Sequence, residues 1–227
     1  KGDVVLLHAC CHNPTGFDLS HDDWKRVLEV VRSRDLLPLI DFAYQGFGDG
    51  LEQDAWSTRL FAAQVPELLI TSSCSKNFGL YRDRTGALIV CATSADKLID
   101  IRSQLANIAR NLWSTPPDHG AAVVATILAD PELKARWADE VEAMRLRIAQ
   151  LRSGLVEALE PHGLRERFAH IGVQRGMFSY TGLSPEQVKT LRERHSVYMV
   201  SSGRANVAGI DATRLAMLAD AIADACK

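Results

Sequence analysis

Short apolar runs that alternate with helical patterns are the feature that most restricts the fold of this chain. Residues 4–7 form a short continuous apolar run, as expected of a strand buried on both faces, and further strands are predicted at 36–40, 68–73 and 85–91. After the first run, Ser20 is followed three residues later by an acidic residue and then by an apolar stripe, which predicts a capped helix. The alternation predicts βαβ units and an α/β fold with a mostly parallel sheet.

Polar residues follow three of these predicted strands. Asn13 and Asp41 come after the first two, and Lys76 lies in a Ser-rich turn after the third. In a parallel sheet, the loops at the carboxyl ends of the strands gather at one edge and commonly form the functional site. A lysine in such a place, with Arg84 nearby, loses its proton more readily than a surface lysine and can attack a carbonyl carbon. Lys76 is therefore the first candidate for covalent chemistry.

The polar residues of these loops match the needs of pyridoxal phosphate. The candidate set is Asn13, Asp41, Tyr44, Ser73, Lys76, Arg84 and Arg204. A lysine that forms a Schiff base with this cofactor requires a carboxylate at the pyridine nitrogen, and Asp41 is placed for that role. Asn13 and Tyr44 could donate to the phenolic oxygen of the ring. Ser73 and Arg84 could hold the phosphate.

The pattern changes after Pro116 and Pro117. The elements predicted there are a long helix over about 131–160 that ends at Gly163, strands at 176–180 and 197–200, a helix that Ser184 caps with Gln187, and a last helix over 211–225. We predict that residues 144–227 form a smaller α+β C-terminal domain. Residues 1–143 would then be part of a large, cofactor-binding domain, with the long helix joining the two.

Composition excludes several classes of function. The chain has 227 residues, a formal net charge of -2 and a pI near 6.4, which disfavours binding to nucleic acid or to an acidic membrane. No apolar run approaches the roughly 20 residues of a membrane span. The five cysteines are unevenly spaced, which favours reduced thiols in a cytoplasmic protein. We predict no metal site, because no second ligand pair follows His8, Cys10, Cys11 and His12.

Five segments together resemble a known family. They read CCHNPTG, LPLIDFAYQGFGDGL, SSCSKNFGLYRDRTGAL, GMFSYTGL and SSGRANVAG, and they closely resemble class I aminotransferases of the aspartate and aromatic amino-acid branch. The resemblance implies a three-layer αβα domain with a mostly parallel sheet, plus a smaller α+β domain, in a homodimer. It implies a transaminase that uses pyridoxal phosphate and exchanges an amino group between amino acids and 2-oxo acids in a ping-pong cycle.

The resemblance also implies roles for single residues. Lys76 would be the Schiff-base lysine and proton carrier, and Asp41 the partner of the pyridine nitrogen. The other implied cofactor contacts are Asn13 and Tyr44 at the ring oxygen and Ser73, Ser75 and Arg84 at the phosphate. The implied substrate contacts are Arg204 at the α-carboxylate, Phe178 and Asn13 along the pocket, and Arg110, which would reach the partner subunit's site and bind a side-chain carboxylate.

Two features of the sequence bear on how far these expectations extend. The N-terminal portion of the family, with its phosphate loop and its stacking aromatic residue, is absent, so we expect a fragment that is inactive alone. Residues 112–115 differ from the aspartate enzymes, which leaves the preferred amino donor open.

Two other functions stay open as well. One is a β-lyase or decarboxylase of the same fold type, and the other is a non-catalytic, aminotransferase-like effector domain of a regulator.

Overall fold

The computed structural model describes residues 2–227. Its strands are β1 (Val4–His8), β2 (Leu37–Phe42), β3 (Leu68–Ser73), β4 (Gly86–Cys91), β5 (Phe178–Tyr180) and β6 (Arg204–Asn206). Its helices are α1 (His21–Arg34), α2 (Trp56–Gln64), α3 (Ala95–Trp113), α4 (His119–Ala129), α5 (Pro131–Ala158), α6 (Arg165–Val173), α7 (Pro185–His195) and α8 (Leu215–Ala225). Among residues 2–227, no helix combines the length and the apolar character that crossing a membrane requires.

One sheet has the strand order β1-β2-β3-β4. β1 and β2 are parallel, β2 and β3 are parallel, and β3 and β4 are antiparallel, so the sheet is mostly parallel as predicted. The register places His8 opposite Asp41, and Asp41 opposite Thr71. The carboxyl ends of β1, β2 and β3 therefore lie at one edge of the sheet, as the positions of the polar loops required.

Local sequence signals set the predicted helix starts. Ser20 accepts a hydrogen bond from the backbone N–H of Asp23, whose side chain bonds back to the cap, and this capping box opens α1. Ser184 and Gln187 form the same box at the start of α7. In both helices the unpaired backbone donors of the first turn are satisfied within four residues, which explains why the sequence alone located them.

The chain divides into two compact units. The first comprises residues 1–9, 19–46 and 51–141, and the second comprises residues 10–18, 47–50 and 142–227. The second unit therefore includes two short loops, one after β1 and one after β2. The boundary near residue 143 between a cofactor-binding domain and a small domain stays a prediction.

Each unit has its own apolar core. In the first, Trp24 of α1 meets Phe61 of α2 edge to face, with ring centroids 5.5 Å apart. In the second, the end of α5 packs with α6, α7 and α8 around buried side chains such as Leu159, Phe168 and Leu191. Apolar residues recur along α5 at steps of three and four; Val141, Ile148, Leu151 and Leu155 are buried, whereas Met144 is exposed.

The structure corrects three local predictions. Residues 197–200 form no strand, because among the described residues no neighbouring strand pairs with them, although Val197 and Met199 pack against the second core. The last helix begins at Leu215, after a 3₁₀ turn at Ala212–Arg214. The long helix ends at Ala158, and Gly163 instead caps a separate 3₁₀ turn.

Candidate active site

The turn after β3 presents Lys76. The backbone N–H of Ser75 donates to the Ser73 hydroxyl at 3.2 Å, and the N–H of Gly79 donates to the Lys76 carbonyl at 3.1 Å. Gly79 has a φ of +68°, which is the left-handed region that glycine adopts without a steric penalty. These local bonds hold the backbone of the turn while the Lys76 side chain extends from it.

Buried contacts support this turn from two other parts of the first unit. The indole N–H of Trp137 in α5 donates to the carbonyl of Asn77 at 2.7 Å, and the Trp137 ring stacks on Phe78 at 4.5 Å between centroids. The Asn77 amide donates to the carbonyl of Gln45, in the loop after β2, at 3.3 Å. The position of the lysine is therefore set by tertiary contacts as well as by the turn.

The environment of Lys76 favours loss of its proton. Its Nζ lies 4.4 Å from the centroid of the buried Tyr44 ring. Burial is the main cause that lowers the pKa of Lys76 below its ordinary value; the Asp41 carboxylate opposes this shift and the Arg84 guanidinium adds to it. Desolvation and a neighbouring cation both destabilise an ammonium group, so this lysine is a better nucleophile than a surface lysine.

Asp41 and Arg84 complete the charged groups around the lysine. Asp41 is half-buried near the end of β2, next to the end of β3. Arg84 lies just before β4 at a φ of +53°, and its guanidinium donates to the Tyr81 carbonyl at 2.9 Å. The charges of Asp41 and Arg84 both act on Lys76, so a carboxylate, a guanidinium and the lysine belong to one group. This donor set fits a group that combines an anionic phosphate with a ring nitrogen that binds a carboxylate, as in pyridoxal phosphate.

The second unit contains a separate carboxylate-binding candidate. Arg204 lies in β6, opposite Tyr180 of the antiparallel strand β5. The carbon of its guanidinium group lies 5.1 Å from the centroid of the Phe178 ring, in cation–π contact. A half-buried guanidinium that an aromatic face orients can bind a carboxylate with two hydrogen bonds. Arg204 also borders a cavity of about 510 Å³ in this unit, which Phe168 and Met199 help to line.

The remaining predicted residues lie elsewhere in each unit. Asn13 is half-buried in loop 10–18 of the second unit, where the Asp18 carboxylate accepts the backbone N–H groups of Cys11 and His12 at 2.7 and 2.8 Å. Arg110 is exposed in the last turn of α3, a helix with no buried residue. The structure thus groups Asp41, Tyr44 and Arg84 around Lys76. It pairs Phe178 with Arg204 in the second unit. Among the described residues, Arg110 has no contact with either group.

The sequence analysis missed one buried charged residue, Arg152. Its helical spacing carried a usable signal, because it lies four residues after Ile148 and three before Leu155, on the apolar face of α5. Charged residues are almost never fully buried unless they have partners. An arginine at that position therefore predicts a network of hydrogen-bond acceptors inside the second unit.

Comparisons with known proteins identify the family of this chain. The family model for aminotransferase class I and II matches residues 1–222. The chain is 77% identical, over 226 residues, to an aromatic-amino-acid aminotransferase of Pseudomonas aeruginosa, and 46% identical to an aspartate aminotransferase of the same organism. These alignments cover 100% and 96% of this chain and 57% and 55% of the two relatives.

Solved structures give the same result. The crystal structure of an aromatic-amino-acid aminotransferase from Burkholderia pseudomallei, covalently bound to pyridoxal phosphate, superposes with a TM-score of 0.96 at 49% identity and covers 100% of this chain and 57% of that one. The chain belongs to the aminotransferase class I and II family. The predicted α/β fold class is confirmed, and the chain spans a little over half the length of the relatives that it matches.

Proposed function

We propose that the protein containing this chain is a pyridoxal-phosphate-dependent aminotransferase. It moves an amino group between an aromatic amino acid or aspartate and 2-oxoglutarate or oxaloacetate. The observation that carries this proposal is Lys76, whose pKa is lowered by burial in a turn at the carboxyl edge of the sheet, next to Asp41 and the Tyr44 ring. The names of the relatives and the cofactor in the Burkholderia structure support it.

The cofactor, when bound, supplies an electron sink that weakens the bonds at the α-carbon of an amino acid. Lys76 is assigned two tasks in this chemistry: it holds the cofactor through its amino group, and it moves the proton of the substrate α-carbon. Both tasks require a neutral amine at working pH, which the lowered pKa of Lys76 favours.

The other residues of the first unit are assigned to binding and orientation. The Asp41 carboxylate keeps the ring nitrogen protonated. The Tyr44 hydroxyl is assigned to the ring oxygen, and the family resemblance implies a contact of Asn13 with the same oxygen. The phosphate is assigned to the serine hydroxyls and the guanidinium of the same loop, which are Ser73, Ser75 and Arg84. These assignments follow from the family resemblance and from the Asp41 and Arg84 charges that act on Lys76.

Substrate recognition is assigned to two arginines. Arg204, held against Phe178, binds the α-carboxylate that every amino acid carries. Arg110 binds the side-chain carboxylate of aspartate or 2-oxoglutarate in the site of a partner subunit. We propose that the protein acts as a homodimer. Large apolar side chains are exposed close to Arg110 in the sequence, and they support this assignment: Ile108, Leu112 and Trp113. We also propose a cytoplasmic location, since the five cysteines, all among the described residues, form no disulfide bond.

Borohydride reduction of a full-length protein that contains this chain tests the proposal. Reduction makes a lysine–cofactor bond permanent, so mass spectrometry should find the cofactor on the peptide with Lys76. The Lys76→Ala variant should lose this adduct and its turnover, whereas Lys97→Ala, which removes an exposed lysine paired with Glu67, should keep both.

Product analysis separates transamination from its alternatives. Aspartate or phenylalanine with 2-oxoglutarate should give glutamate and a 2-oxo acid in equal amounts. Release of ammonia or carbon dioxide would instead indicate a lyase or a decarboxylase. An adduct on a different lysine would refute the assignment of Lys76.

A further inference from the structure

Arg152 is a buried arginine at the centre of the second unit. Only 2% of its surface is exposed. One guanidinium nitrogen, Nη1, donates to the Ile171 carbonyl at 3.0 Å and to the Ser179 hydroxyl at 2.5 Å. The other, Nη2, donates to the carbonyls of Gly176 and Phe178, both at 2.7 Å. The side chain therefore joins the end of α6 to the segment that enters β5.

The charge of Arg152 persists at neutral pH. Burial lowers the pKa of Arg152 to about 10, while the charges of Cys11 and Asp18 act in the opposite direction. Its closest acceptors are uncharged oxygens of the backbone and of a serine. A buried cation stabilised in this way depends on every acceptor keeping its position, since a buried donor that loses its partner costs free energy.

The acceptors belong to the segment on which the carboxylate-binding pair is built. Phe178, whose carbonyl Arg152 holds, presents its ring to the guanidinium of Arg204. Ser179 lies opposite Ala205 in the β5–β6 ribbon, next to Arg204. Arg152 thus donates hydrogen bonds to residues of β5, and β5 is the strand with which β6 pairs.

The same segment also holds the loop that carries Asn13. The backbone N–H of Arg175 donates to the carbonyl of Gly16 at 2.9 Å. Gly176 has a φ of +76° and approaches Cys11 so closely that a Cβ at this position would overlap the cysteine side chain. Through the segment 174–178, one guanidinium therefore supports both loop 10–18 and the β5–β6 ribbon.

We propose that Arg152 is a positioning residue for recognition of the substrate α-carboxylate: it holds the Phe178–Ser179 backbone so that Arg204 is oriented to bind a carboxylate. The inference deepens the proposed function and rests on it, because Arg204 receives a carboxylate only if the protein acts on amino acids or 2-oxo acids. A lysine could not replace Arg152, since an ammonium group has three donors and no planar fork to reach acceptors on two sides.

Binding of 3-phenylpropionate to the full-length holoenzyme tests this role. This molecule carries a carboxylate and no amino group, so it reports carboxylate binding without reaction. Arg152→Lys should raise its Kd, and the KM for phenylalanine, roughly three- to tenfold, while kcat changes less. Ser179→Ala, which removes one acceptor only, should cause a smaller change in the same direction. The double variant should show less than the sum of the two effects, because both act on one contact.

The matched control is Arg165→Lys. Arg165 is an exposed arginine of the same unit that pairs with Glu160, and its replacement should leave the Kd unchanged. The control variant should keep the cofactor content of the wild type, and the borohydride adduct of every variant should stay on Lys76, which belongs to the other unit.

A merely structural role for Arg152 would lower the unfolding temperature and leave the Kd of the folded enzyme within twofold, and that result would overturn the inference. If Arg152→Lys does not fold, an unchanged Kd in Ser179→Ala overturns it instead. Failure of the proposed function looks different, since the wild type itself would then lack the adduct or fail to bind 3-phenylpropionate.

Discussion

Lys76 and Arg152 are two desolvated cations, one in each unit, with opposite surroundings. Burial is the main cause of a lowered pKa in both. The Arg152 guanidinium donates to several oxygens around it. The Lys76 ammonium instead lies against the face of the Tyr44 ring, and among residues 2–227 no carboxylate forms a salt bridge with it.

The comparison shows that hydrogen-bond acceptors, rather than burial alone, distinguish the two cations. Hydrogen bonds to the oxygens around Arg152 offset much of the free-energy cost of desolvating its charge, and they fix the geometry of the side chain. The ring beside Lys76 compensates the charge weakly, so the lysine can lose its proton and can move. We therefore expect that removing the two charges has opposite consequences for stability and for chemistry.

The largest expected difference is in stability. Arg152→Met should lower the free energy of unfolding by about 3–5 kcal/mol, because buried oxygens lose their donor. Lys76→Met should change it by less than about 1 kcal/mol, since a half-buried cation is replaced by an apolar chain of similar length. Urea unfolding of the cofactor-free, full-length protein measures both. Equal losses in the two variants would contradict the distinction between the two cations.

The comparison extends to two further arginines, Arg204 and Arg110, to which the proposed function assigns the carboxylates of the substrate. Removing one partner of a buried charge pair costs about 2–5 kcal/mol, which is roughly one and a half to three and a half decades in kcat/KM. Arg204→Leu should lower kcat/KM by this amount for aspartate and for phenylalanine. Arg110→Leu should lower kcat/KM by this amount for aspartate and leave the kcat/KM for phenylalanine nearly unchanged.

Single-turnover rates with each amino donor separately test this difference, because the acceptor half of the cycle then cannot mask it. Arg102→Leu, which removes another exposed arginine of α3, serves as the control for a change in surface charge. Equal losses for aspartate and phenylalanine in Arg110→Leu would show that Arg110 has a structural role.

A smaller effect should follow from loosening the turn that carries Lys76. Trp137→Phe removes the indole donor to the Asn77 carbonyl and keeps an aromatic ring next to Phe78. The expected loss is about 1 kcal/mol of unfolding free energy, with faster amide hydrogen exchange at residues 75–79. The exposed Arg165 gives the control variant Arg165→Lys, which should show neither change. Unchanged exchange in Trp137→Phe would mean that the turn is held by its local bonds alone.

The smallest expected effect is the pH dependence that Lys76 contributes. Its pKa in the folded protein lies below the value of 10.5 of an ordinary lysine. Between the two values the unfolded chain binds more protons, so the stability contribution of Lys76 rises with pH as it approaches 10.5. In the cofactor-free protein, the stability of the wild type relative to Lys76→Met should therefore rise from neutral pH toward that value. A flat or falling difference would show that the folded protein does not disfavour the ammonium form.

Sequence alone located the features that depend on residues within one or two turns of each other. The capping boxes at Ser20 and Ser184, the first strands of the sheet and the start of α5 at Pro131 all agree with the structure. The mostly parallel sheet followed from the alternation of strands and helices. The charged neighbours of Lys76 followed from the rule that strand ends meet at one edge, and Asp41 and Arg84 both influence its pKa.

Tertiary structure decided the features that depend on distant partners. Residues 197–200 have a strand-like composition and form no strand, because a strand requires a neighbour to accept its hydrogen bonds. In the sequence, Arg152 is one of several charged residues of a long helix. Its buried position requires hydrogen-bond acceptors, and these oxygens lie 19 to 27 residues away in the chain. Helical periodicity places a side chain on a face, but the acceptors that meet it there are determined only when the whole unit has folded.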